Sequence, residues 1–81
     1  MTTREKLIKT FAAALLVPET PDLASAEYRR IPQWDSVAHM RLIAEIEMAF
    51  DIMLDTQDVI GMSSFQKAEE ILSKHGVHTV A

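Results

Sequence analysis

Apolar residues in this chain recur at intervals of three and four, and that rhythm restricts it to amphipathic helices packed face to face. Leu7, Phe11 and Leu15 follow one another every four residues, with Ile8 and Ala12 beside them, which predicts a helix over about 3–16. Thr2 and Glu5 have the spacing of a capping box, and Pro18 and Pro21 end the pattern. A second helix is expected over 36–50, capped by Asp35 or Ser36. A short turn of helix is expected over 56–61, capped by Asp55 or Thr56, and a last helix over 64–75. In the last, Phe65, Ala68, Leu72 and His75 share a face, Ser63 and Gln66 form a capping-box pattern, and Gly76 is a stop signal. No segment reads as a strand. The expected fold is all-α: a small four-helix bundle, three main helices plus a short third one, in a single domain over 1–81.

The connection from Val17 to Trp34 holds all three prolines and scattered apolar residues: Val17, Leu23, Tyr28, Ile31 and Trp34. Loops of this length are usually functional or disordered. The apolar residues predict a loop packed against the helices.

With 81 residues there is room for one modest core, and a deep cleft walled off from water is hard to build. Cysteine is absent, which excludes disulfides and thiolate metal sites. The net charge of −4 disfavours nucleic acid, whose phosphates need a positive patch. No apolar run reaches bilayer-spanning length, and Met1-Thr2-Thr3-Arg4-Glu5-Lys6 lacks the apolar core of a signal peptide. A soluble, cytoplasmic, monomeric protein is expected.

On a wheel at about 100° per residue, the second helix carries two apolar stripes. Leu42, Ile43, Ile46 and Phe50 lie on one side with His39 beside them, the natural core stripe. Val37, Met40, Ala44 and Met48 lie on the other with Arg41 among them. Either the helix is central and packs on both sides, or the second stripe is an exposed contact surface. Methionine suits the latter use, because its flexible side chain adapts to several partners. The second stripe starts one residue after Ser36.

Asp35-Ser36-Val37 alone reads as an ordinary helix cap. Its surroundings say more. Ile31-Pro32-Gln33-Trp34-Asp35-Ser36-Val37-Ala38-His39-Met40-Arg41-Leu42-Ile43 and its continuation Glu45-Ile46-Glu47-Met48-Ala49-Phe50-Asp51-Ile52 resemble the acyl carrier protein family. Members of that family open the second of four helices with an Asp-Ser-Leu-type triplet. An apolar pair follows, then a Glu-rich turn ending in Phe and a small or acidic residue. The resemblance extends to Ser63-Ser64-Phe65-Gln66-Lys67-Ala68 before Ile71-Leu72, and so covers essentially the whole chain.

The resemblance implies a 4'-phosphopantetheine arm on Ser36, moved there from coenzyme A by a phosphopantetheinyl transferase that Asp35 helps to orient. It implies acyl or aminoacyl cargo held as a thioester, partners among activating ligases and downstream synthase enzymes, and no catalysis by the carrier itself. A phosphodiester anion suits a helix N-terminus, with its free N–H groups and partial positive charge. Val37 departs mildly from the commoner Leu. Ala38 and Met48 are uncharged and Arg41 is positive where fatty-acid-synthesis carriers are strongly acidic, and Arg29 and Arg30 precede the site. That favours a specialised pathway, for a secondary metabolite or an activated amino acid. Val37, Met40, Arg41, Ala44 and Met48 are the expected partner-binding residues.

Rival readings are weaker. Ser36 and His39 lie one helical turn apart, but no third group is placed to orient the histidine. No metal site is expected: Asp51, Asp55 and Asp58 lack calcium-loop spacing, and these, His75 and His78 read as solvated surface charge. The alternative function is a cofactor-free helical interaction module with Ser36 as a cap only. For the core, Phe11, Leu15, Leu42, Ile46, Phe50, Phe65 and Leu72 are expected to pack as one cluster.

Overall fold

A computed structural model describes residues 2–79 of the chain. Its elements are α1 (Thr3–Leu15), a 3-10 helix (Pro21–Ser25), α2 (Ser36–Phe50), α3 (Thr56–Gly61) and α4 (Phe65–Lys74). Among the described residues the fold is all-α with four α-helices, as expected. The β-type pairing among the described residues is a single isolated bridge, Glu27 to Ser64.

Each helix begins and ends where local chemistry dictates. Thr2 Oγ1 accepts the Glu5 N–H at 3.1 Å to start α1. The helix ends as Leu16 turns left-handed, φ 58°, and Pro18 follows. Asp51 ends α2 in the same way, φ 54°. Asp55 and Asp58 cap α3 reciprocally, with backbone N–H to carboxylate distances of 2.8 and 3.4 Å. In α4 the cap is Ser64, which accepts the Lys67 N–H at 3.0 Å, and not the expected Ser63. Ser63 is otherwise engaged: its carbonyl accepts the Tyr28 N–H at 2.8 Å. Gly76, φ 86°, closes α4: its N–H donates to Ser73 C=O and that of Val77 to Leu72 C=O.

The core lies between α1, α2 and α4, and the long loop covers one side of it. Leu7, Phe11, Trp34, Leu42, Ile46, Phe65 and Leu72 are wholly buried. The Phe11 ring meets Trp34 edge-on at 5.4 Å and tilts against Phe65 at 4.9 Å. Leu23, Ala26 and Trp34 bury the loop, so it packs as expected, with the unforeseen 3-10 helix at its centre. The expected core cluster holds except at Phe50. That ring is only half-buried at the end of α2, and the Lys6 ammonium lies 5.0 Å over it.

Candidate functional site: the start and outer face of α2

Asp35 and Ser36 take different jobs. Asp35 is extended, and its Oδ1 accepts the Ala38 N–H at 2.8 Å, making it the cap. Ser36 is the first helical residue and is exposed; among the described residues its hydroxyl makes no hydrogen bond. An exposed hydroxyl is thus presented at the positive end of a 15-residue helix.

Trp34, two residues earlier, anchors this junction. Its carbonyl accepts the Arg29 N–H at 3.0 Å and its own N–H donates to Ile31 C=O at 3.1 Å. Its buried indole N–H donates to His39 Nδ1 at 3.0 Å. An indole can only donate, so the imidazole hydrogen sits on Nε2 and points at Val59 C=O, 2.8 Å away in α3. Both ring nitrogens of His39 are therefore taken by Trp34 and Val59. None is directed at Ser36, which removes the geometric basis for a nucleophile–base pair.

Beyond Ser36 the apolar residues of the second stripe of α2 face solvent. Val37, Met40 and Met48 are 65, 60 and 72 % exposed, and Ala44 and Arg41 are exposed with them. Met53 just past α2 and Ile60 on α3 add further exposed apolar side chains. Ile60 follows Val59, whose carbonyl binds His39, so it belongs to the same end of the molecule as Ser36.

Arg41 has a role that periodicity did not reveal. Its Nε–H donates to Ala14 C=O at 3.1 Å, in the last turn of α1. No basic residue of α1 itself lies in that turn, so Arg41 supplies a cation to the negative helix end from across the interface.

Comparison with protein-family models, with curated proteins and with solved structures gave no match. No helix among the described residues is long and apolar enough to cross a membrane, and no three potential metal-ligating side chains of the kind His, Cys, Asp or Glu are grouped there.

Asp58 and His75 depart from the expected solvated surface. Asp58 is buried, and its carboxylate accepts from Lys74 Nζ and, at 2.8 Å, pairs with His75 Nε2. The Lys74 hydrogen bond above all, then that of His75, holds its pKa down at about 2, against burial, which acts the other way. The same bond raises Lys74 above its ordinary value. Glu69, also buried, accepts from Thr79 Oγ1 at 2.6 Å with Arg4 3.6 Å away. Asp51, Asp55 and His78 are exposed, as expected.

Proposed function

We propose that this chain is a carrier protein that takes a 4'-phosphopantetheine arm on the Ser36 hydroxyl and holds acyl or aminoacyl cargo as a thioester. The observation that carries the reading is the division of work at the start of α2. Asp35 caps the helix, which leaves Ser36 Oγ exposed and without a hydrogen-bond partner among the described residues. A serine kept only as a cap would be using that oxygen.

The residues suit the arm. Backbone N–H groups of the first helical turn, Ser36 and Val37 among them, lack intrahelical partners and face outward with the positive end of the dipole, which favours a phosphodiester anion. Once attached, the arm supplies the thiol that this cysteine-free chain lacks. In the attachment step Ser36 Oγ attacks the pantetheine-bearing phosphorus of coenzyme A. The bond from that phosphorus to the bridging oxygen breaks, adenosine 3',5'-bisphosphate leaves, and the hydroxyl proton passes to a base on the transferase. Asp35 sits beside the hydroxyl to help orient that enzyme, and the Trp34–His39–Val59 hydrogen bonds tie the junction to α3.

The outer face of α2 favours a dedicated partner over a fatty-acid-synthesis one. No acidic residue stands in its first turn, and Val37, Met40, Ala44 and Met48 face outward. A partner with an apolar hollow fits that face better than one with a basic patch.

Incubation with coenzyme A and a broad-specificity transferase, followed by intact mass, tests the reading. The parent should gain one arm and Ser36→Ala none. An arm mapped to Ser25, Ser63 or Ser64 overturns the assignment. With no arm gained at all, the α2 face stands instead as the surface of a cofactor-free interaction module.

A further inference from the structure

Methionine is ordinarily a buried residue. Here Met40, Met48 and Met53 are 60, 72 and 84 % exposed, while Met62 is wholly buried. Met40 and Met48 lie two turns apart on the outer stripe of α2, and Met53 follows the end of that helix. A bond from the Leu54 N–H to Glu47 Oε2, 2.9 Å, folds the segment after α2 back on its last turn. None of the three belongs to the core or packs against it.

We propose that Met40, Met48 and Met53 form a reversible oxidation site that switches the α2 face from apolar to polar without altering the fold. The reagent is a peroxide. The thioether sulfur attacks one peroxide oxygen, the O–O bond breaks, the sulfur gains that oxygen as a sulfoxide, and the peroxide is reduced to water. Methionine sulfoxide reductases with a dithiol reverse the change. A sulfoxide is polar and accepts hydrogen bonds, so it opposes burial against an apolar partner surface. Folding is insulated, because the modified side chains are largely exposed and lie outside the buried core, whereas Met62 can react only when the core opens. The consequence for partner docking rests on the carrier reading above; the chemistry and the change of surface do not.

The test is peroxide treatment of the full chain, peptide mapping, thermal unfolding, and retention on a phenyl matrix. Met40, Met48 and Met53 should oxidise at least about tenfold faster than Met62. The thermal midpoint should stay at the parent value, retention should fall, and reductase with dithiol should restore it. A triple variant, Met40→Leu, Met48→Leu and Met53→Leu, should keep its retention through peroxide treatment. Oxidation of Met62 at the same rate, a midpoint that falls with modification of the other three, or unchanged retention would each overturn the proposal. Failure of the unoxidised parent to accept an arm overturns the assignment of Ser36 instead, since none of these measurements involves an arm.

Discussion

Ser36 and Asp35 are neighbours of similar size and polarity, yet their removal should have opposite signatures. Asp35 Oδ1 satisfies a helix N–H that otherwise has no partner, so Asp35→Ala should destabilise the fold by about 1 kcal/mol. Ser36 contributes no such bond, so Ser36→Ala should unfold within about 0.5 kcal/mol of the parent, while the proposed function expects it to accept no arm. Urea unfolding of the two variants measures this directly; a larger loss for Ser36→Ala would return the cap to Ser36. From the sequence both residues were candidates for the cap, because either side chain can accept from the first turn. What decides between them is the extended backbone at Asp35, a property of how buried Trp34 pins the loop's end.

At the scale of elements, the Asp58 carboxylate ties the start of α3 to the end of α4 and makes that tie pH-dependent. Its folded pKa, about 2, lies below the ordinary value of 3.8. The stabilisation is therefore present above pH 3.8 and is lost as pH falls from there through about 2. Lys74 is shifted upward, so its share is present below its ordinary 10.5 and lost as pH rises beyond it. Thermal midpoints between pH 5 and 2 should fall for the parent, and Asp58→Asn should start lower and fall less over that window. Parallel curves for the two proteins would show that Asp58 does not carry the effect. This tie was not legible in the sequence, since its partners stand 16 and 17 positions away and nothing local marks Asp58 as buried. The bounds of α2 and α3 were legible, because aspartates cap both and a Pro-rich loop or a short break flanks them. The 3-10 helix was not: Pro21–Ser25 is too short to show a period. The start of α4 slipped by one residue because Ser63 and Ser64 both have cap chemistry, and only the loop's hold on the Ser63 carbonyl separates them.

The molecule as a whole divides into a core it cannot spare and a face it does not need for folding. Phe11 touches both Trp34 and Phe65 at the centre, so Phe11→Ala should cost about 3–5 kcal/mol, most of the stability of a small domain. Phe50→Ala should fall clearly below that range in urea unfolding, since its ring is half-buried at the end of the bundle. Equal losses would mean that Phe50 belongs to the centre after all. The outer face of α2 behaves in the opposite sense. Arg41 is a poor probe of it, because Arg41→Glu also removes the bond to Ala14 C=O and sets a carboxylate against the negative end of α1. Met40 and Met48 are cleaner, being exposed and outside the core, so Met40→Glu and Met48→Glu should each unfold within about 0.5 kcal/mol of the parent. Their effects on arm addition should differ with distance. Met40 lies about 6 Å along the helix axis from Ser36 and Met48 about 18 Å, at 1.5 Å per residue. Any enzyme that reaches the Ser36 hydroxyl must cover the first turn and Met40 with it, whereas it can leave Met48 in water. For a transferase, kcat/KM should fall about tenfold for Met40→Glu, equivalent to about 1.4 kcal/mol of lost contact, and much less for Met48→Glu. Unchanged values for both variants would mean that the enzyme approaches Ser36 from the loop side, past Arg29 and Arg30, and not along the apolar stripe.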